Sequence, residues 1–274
     1  MNDQHVTNPP AGGSPGGGDD RAPSSVIGVD IGGTGVKAAL VDLDQGVMAS
    51  ERERIETPHP ATPEAVADVV DQLVTKLGGA DRVGITVPAV VRSGVVRTAA
   101  NIDDAWIGTD AGALFSGRLG QDCTVLNDAD AAGIAEMRFG AGAGHTGVVI
   151  VITLGTGIGS AMFSNGVLVP NTELGHLHFK GDDAEKYASG LVRETEDLSW
   201  HQWGHRVGRY LRLLDHLFSP ELLIIGGGVS KKFDKYSEYI RDKMDGDTEV
   251  VPARTLNAAG IVGAALAATE KPGS

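Results

Sequence analysis

From Asp30 to Lys37 the chain reads Asp-Ile-Gly-Gly-Thr-Gly-Val-Lys, setting a carboxylate, a glycine turn, a hydroxyl and an ammonium close together. Such a turn can present the backbone N–H groups of Gly32, Gly33 and Gly35 and the Thr34 hydroxyl to phosphate oxygens, with Lys37 as a nearby cation. Asp30, just before the turn, is placed either to hold Mg2+ directly or through water, or to bond its own turn. Gly33 to Ala38 formally matches the dinucleotide pattern G-x-G-x-x-A. That pattern demands a helix after the glycines, whereas Val36, Ala38 and Leu40 alternate as in a strand. No Gly-Lys dipeptide occurs, so the Walker loop is excluded as well.

The same design returns at Gly155, Thr156, Gly157 and Gly159, after the β-branched run Val148–Leu154. One glycine turn could be a plain hairpin; two, facing each other across a cleft, could hold a polyphosphate from both sides. Gly226, Gly227 and Gly228 follow a further apolar run and are expected to open a helix with Ser230 near its start, another place for an anion. Lys231, Lys232 and Lys235, with Arg193, could line a cationic groove for a polyanion or form a solvated face. In "LNDADAAG" Asp128 stands between a strand and a helix, where it could serve as a general base; Asp128 or Asp130 could instead cap that helix.

These residues need an α/β scaffold, and the rest of the chain supplies its pattern. With 274 residues, 41% of them apolar, it can bury a sizeable core. Residues 1–24 are dominated by glycine and proline and are expected to be a disordered tail. From there, β-branched runs alternate with helical spacing, as at Val66, Val69, Val70, Leu73 and Leu77. Residues 25–126 are expected to form a small lobe and residues 127–257 a larger one, with a small-residue helix at about 258–270 packing back on the first. A net charge of -13 argues against a nucleic-acid binder. The single cysteine, Cys123, excludes an intrachain disulfide and a multi-cysteine zinc site. Its apolar runs are too short to span a bilayer and no apolar signal segment precedes them, so no membrane role and a cytoplasmic location are expected.

Taken in order, "DIGGTGVKAALVD", "LNDADAAG", "TLGTGIGS", "ELGH" and "IIGGGVS" resemble the sugar kinases of the ROK family, within the actin-like ATPase superfamily. More narrowly, "RIETPHPATPE", "AANIDDAW", "LVPNTELGH", "DLSWHQW" and "GGGVSKKFDK" resemble the actinobacterial polyphosphate glucokinases. The resemblance covers about residues 26–268. It implies an actin-like (ribonuclease H-like) α/β fold, two lobes each with a mixed sheet flanked by helices, and a cleft between them. It also implies phosphoryl transfer from polyphosphate, with ATP as a further donor, to the 6-hydroxyl of glucose, with mannose as a second acceptor, Mg2+ as cofactor and a homodimeric assembly. Asp128 would be the base, and Asn101, Asn127, Asp128, Glu173, His176 and Glu185 would hold the sugar.

The family's cysteine-rich zinc motif is absent here, replaced by "LHFKGDDAEKYASG", as in the polyphosphate subgroup, so no zinc is expected. Ala89 stands in "VPAVV" where that subgroup commonly has glycine. The rivals are an ATP-dependent glucokinase or glucomannokinase and, from another class, a sugar-sensing regulator. The regulator is disfavoured because the N-terminal segment holds no basic DNA-binding helix.

Overall fold

Val26–Gly32 (β1) and Gly35–Asp42 (β2) form the first hairpin, in the register that sets Asp30 opposite Lys37 and Gly32 opposite Gly35. The computed structural model of the protein describes residues 25–99 and 102–269. Asn101 and the expected tail, residues 1–24, lie outside the described residues. Val47–Met48 (β3) and Glu53–Ile55 (β4) both pair with β2. Arg82–Val87 (β5) joins β1 in parallel, and Cys123–Asn127 (β8) joins β5 in parallel. A small ribbon, Val91–Arg92 (β6) with Val95–Val96 (β7), projects between them in sequence.

The second sheet repeats this path. Val148–Leu154 (β9) and Ile158–Ser164 (β10) form the hairpin, and Val167–Val169 (β11) extends it. Leu222–Gly226 (β14) and Glu249–Pro252 (β15) then add in parallel on the other side of β9. The strand orders β3-β2-β1-β5-β8 and β11-β10-β9-β14-β15 are thus the same topology used twice. Between the two copies of the hairpin's outer strand and the parallel pair come His178–Phe179 (β12) and Asp182–Asp183 (β13), which form a separate two-stranded ribbon.

Helices cover both sheets because their apolar residues recur at helical spacing. Pro63–Lys76 (α1), capped by the Thr62 side chain and started by proline, buries Val66, Val70 and Leu73 against the first sheet. Ala111–Leu119 (α2) packs beside it, through Phe115. Asp128–Phe139 (α3) follows β8 directly. Glu185–Ala188 (α4) and Gly190–Thr195 (α5) are short; Trp200–Phe218 (α6) is long, closed at its start by reciprocal bonds between Ser199 and Gln202. Trp203, Val207, Tyr210, Leu211 and Leu214 of α6 fill the second core, with Ser237–Arg241 (α7) packed alongside. No helix among the described residues is long and apolar enough to cross a membrane.

One expectation fails locally. Gly228–Lys235 is a 3-10 stretch, not an α-helix, and it is broken at Lys232 (φ -119°, ψ 22°). Ser230 explains the tight start: its backbone N–H and its hydroxyl both donate to the Gly227 carbonyl, at 3.1 and 2.8 Å.

The last helix, Ala259–Ala267 (α8), is built of small and apolar residues and packs on β1, β5 and α3 together. That approach depends on missing side chains: a Cβ on Gly28 would overlap the Ile261 carbonyl, and one on Gly84 the Ala264 carbonyl. Gly28→Ala is therefore expected to lower stability by at least about 2 kcal/mol, the scale of an overpacked core. Thermal unfolding should show a fall of several degrees; an unchanged midpoint would mean that α8 is free to shift.

Candidate active site

A cleft of about 460 Å³ brings Asp30 and Lys37 of the first sheet together with Asp128 of α3 and Thr153, Gly226 and Gly227 of the second. Lys37 Nζ donates to Asp30 Oδ2 at 3.0 Å, and Thr86 Oγ1 donates to Asp30 Oδ1 at 3.3 Å. Gly33 and Thr34 are exposed at the turn. Behind them Thr57 Oγ1 donates to the Gly32 carbonyl at 2.5 Å and Arg54 Nη2 to the Thr34 carbonyl at 2.7 Å. The turn's shape is thereby held by side chains that are far away in sequence.

Capping of α3 differs from the expectation. Neither Asp128 nor Asp130 is the cap: β8 stays extended through Asn127 (ψ 146°), whose side-chain oxygen accepts from Ala129 N at 2.8 Å and Asp130 N at 3.1 Å. Its Nδ2 donates to the Ala89 carbonyl at 3.1 Å. Asn127, expected to hold the sugar, has its amide oxygen engaged by the helix, which leaves it one N–H to offer.

Asp128 opens into the cleft, with one oxygen accepting from Ala129 N at 2.8 Å. Desolvation by the surrounding cleft walls, reinforced by the Asp30 and Glu173 carboxylates and opposed by the backbone bond from Ala129, pushes its pKa up to about 6. Asp130 faces inward, buried; one oxygen accepts from Asn171 N at 2.8 Å and the other has no partner among the described residues. Burial raises its pKa to about 7, against the Asn171 bond and with help from Glu173 and Asp128. Asn171 in turn grips Val91 of the small ribbon, N–H and carbonyl both at 2.8 Å.

Glu173 precedes a 3-10 turn, Leu174–His176, and its pKa is raised by burial, which the charge of His176 opposes and that of Glu185 supports. Glu185 Oε2 accepts from Ile158 N at 3.3 Å, directly after the second glycine turn. Ligating atoms of His176, Asp183 and Glu185 lie within 4.8 Å of one another.

A second cavity, about 380 Å³, lies on the other side of the glycine triplet. Gly155, Thr156, Gly190, Arg193, Trp200, Gly228 and Lys232 line it, so Gly226 and Gly227 border one cavity and Gly228 the next. Gly227 has φ +80°, and a Cβ there would strike the backbone of Leu154, so the crossing admits only glycine. The Arg193 guanidinium lies 3.7 Å from the Trp200 ring centre, with Lys232 and Lys235 at 5.9 and 6.0 Å, and Tyr236 stacks on the same indole. Arg193 Nε is buried with no partner among the described residues. Lys231 is exposed and does not line the cavity.

Sequence reasoning missed Arg52, Thr153 and Asn257, which line the first cleft, and Trp200, which orders the second. Trp200 lies in the "DLSWHQW" motif, and that was its only signal; Arg52 lies in no motif.

Two sheets of one topology, with Asp30 and Lys37 from the strands of the first glycine hairpin lining one cavity and Gly155 and Thr156 of the second turn lining the other, define a two-lobed α/β fold. The ROK family model matches residues 26–191. A polyphosphate glucokinase of Mycobacterium tuberculosis is 48% identical over 242 residues, covering 88% of this chain and 90% of that protein. The crystal structure of an inorganic polyphosphate/ATP-glucomannokinase from Arthrobacter sp. strain KM superposes with a TM-score of 0.82 and 50% identity, covering 90% of this chain and 98% of the other. A ROK glucokinase from Streptomyces griseus in complex with glucose and AMPPNP gives a TM-score of 0.78 at 29% identity, over 89% of this chain and 99% of that one. The chain belongs to the ROK family and has its actin-like α/β fold.

The electrostatic arrangement has a direct test. Removing the neighbouring negative charge with Asp30→Asn should lower the titration midpoint of Asp128 from about 6, as followed by carboxyl carbon NMR. An unmoved midpoint would mean that Asp30 contributes nothing and that desolvation and Glu173 set it.

Proposed function

We propose that the chain transfers a phosphoryl group from inorganic polyphosphate, with ATP as a second donor, to the 6-hydroxyl of glucose, giving glucose 6-phosphate. The observation that carries this reading is the Asp128 carboxylate in a cleft shared with Asp30, Lys37 and the Gly226-Gly227 crossing. The 46–48% identity to polyphosphate glucokinases supports the same chemistry. Above about pH 6 Asp128 is ionised and can accept the hydroxyl proton as the sugar oxygen bonds to phosphorus. The bond from phosphorus to the bridging oxygen breaks, and the donor leaves one phosphate shorter. Lys37 and Arg52 are the cations placed to neutralise the group in transit. Asp128 is exposed in the open cleft, so closure of the lobes around bound sugar would be the step that keeps water from competing for the donor.

Kinases of this type need a divalent metal, and we assign it as Mg2+. Asp30 fits as its protein ligand, since Mg2+ is commonly held by one or two carboxylates with phosphate oxygens and waters completing the shell. The ion would supply charge neutralisation on the donor phosphates, and Lys37 would then turn from Asp30 to the phosphate. The glycine turns at Gly32, Gly33, Thr34, Gly35 and at Gly155, Thr156, Gly157, Gly159 would receive phosphate oxygens from either side. A polyphosphate chain would cross at Gly227 into the second cavity, where Arg193 and Lys232 offer charge and the indole of Trp200 is already covered by a guanidinium. Glu173, His176 and Glu185, together with Asn101 and the free N–H of Asn127, would hold the sugar. Mannose as an acceptor and a homodimeric assembly belong to the same reading; the glucomannokinase relative supports the first.

A glucose 6-phosphate assay with polyphosphate or ATP as sole donor decides the reading: turnover with polyphosphate supports it, ATP alone favours an ATP-dependent glucokinase, and activity with neither removes it. Asp128→Asn should cut kcat by at least about 100-fold while glucose still binds, the usual size of a general-base contribution. Near-normal turnover would reject that assignment. Lys232→Ala and Arg193→Ala should raise KM for long polyphosphate at least about tenfold more than KM for ATP, the effect of losing a charged contact. Equal changes for both donors would place the polyanion elsewhere.

A further inference from the structure

Asp183 is used by no step above, yet it bonds His176: its Oδ2 lies 3.1 Å from His176 Nδ1. A carboxylate can only accept in such a contact, so whenever the ring is neutral its proton sits on Nδ1 and Nε2 is left unprotonated. That Nε2 lies 3.8 Å from Glu173 Oε2, a second acceptor. Two acceptors cannot satisfy each other. They call for a ligand bringing two donors at matching separation, which hydroxyls on adjacent carbons of a sugar provide.

Both sides of this arrangement are held by the fold. The backbone of the Leu174–His176 turn presses so closely on the start of β10 that a Cβ on Gly175 would overlap the Ile158 carbonyl. Asp183 sits on the β12–β13 ribbon, paired with His178, and its N–H donates to Asp182 Oδ1 at 2.8 Å. The ribbon is fastened by Ala184 N to the Leu177 carbonyl, 2.9 Å, and by Phe179, whose ring meets Tyr187 edge-on at 5.4 Å. A carboxylate on so anchored a ribbon orients the imidazole without touching the ligand itself.

We propose that Asp183 is a positioning residue for the acceptor sugar: it holds His176 as the Nδ1–H tautomer, so that Nε2 and Glu173 together accept from two neighbouring hydroxyls. This rests on the sugar-kinase reading, and its test has an arm that does not. Nitrogen-15 NMR of the ligand-free protein at about pH 8, above the ordinary histidine range, reads the tautomer directly. His176 should be protonated at Nδ1 in the parent chain and shift towards the Nε2–H form in Asp183→Ala. An Nε2–H ring in the parent chain overturns the arrangement, whatever the protein phosphorylates.

In the kinetic arm, Asp183→Ala should raise KM for glucose at least about tenfold with kcat changed less than about threefold and KM for the phosphate donor unchanged. Asp183→Glu should recover part of the loss. An unchanged glucose KM, or a proportional loss in every parameter together with a lower melting temperature, would make Asp183 a structural residue only and overturn the proposal. A parent chain that turns over no sugar with any donor defeats the kinase reading and the sugar role with it, while the tautomer result still stands or falls by itself.

Discussion

Asn127 bonds to three backbone groups at once, the N–H groups of Ala129 and Asp130 and the carbonyl of Ala89, and the geometry of the site follows from that anchorage. It is the last residue of β8 and the cap of α3, so the chain turns from strand to helix within a single residue. Asp128, the next residue, therefore points into the cleft with its carboxylate available for chemistry. Asp130, one further on, turns inward to hold Asn171 and through it the ribbon at Val91. The far end of the same helix is secured by Glu136, which accepts from the backbone of Ala141, Arg254 and Thr255. With α8 wedged against β1, β5 and α3, the helix that carries the proposed base is tied to both sheets.

The cleft concentrates like charges that a folded core would otherwise avoid. Asp30 and Glu173 act on Asp128, and Glu173 and Asp128 act on Asp130; Lys37 is bonded to Asp30, and His176 lies 3.8 Å from Glu173. Asp128 and Asp130 both have folded pKa values above their ordinary range. Protonation therefore favours the folded state, and that contribution is lost as the pH rises through about 6 and about 7. The arrangement sacrifices some stability at neutral pH, and in return supplies a carboxylate whose proton affinity suits exchange with a hydroxyl. The chain as a whole is acidic, so an anionic donor must rely on local cations at Lys37, Arg52, Arg193 and Lys232.

Local patterning carries information where the interaction it encodes is itself local. The strand after Gly35 was readable because alternation is a two-residue property, and it ruled out the dinucleotide loop. The repeat of a glycine turn between strands disclosed the duplicated topology, and α6 was readable from Trp203 to Leu214 because those positions share one helical face. The 3-10 form of Gly228–Lys235 was not, since the Ser230 hydroxyl can as readily cap an α-helix as fold back on Gly227. The choice of cap among Asn127, Asp128 and Asp130 escaped as well: all three side chains are able caps, and the selection depends on how far β5 holds β8 extended.

The amino-acid sequence by itself determined the two hairpins, the class of fold, the ROK membership and the residue types proposed for the phosphate and the sugar. Each follows from the order of side chains along a short segment. Tertiary structure alone decided that Arg193 lies over Trp200, that Asp183 meets His176, and that neighbouring glycines of one triplet border two different cavities. Those pairings join segments whose approach is set by the packing of whole sheets and helices. Their energies depend on distance and burial, which no local stretch of sequence contains.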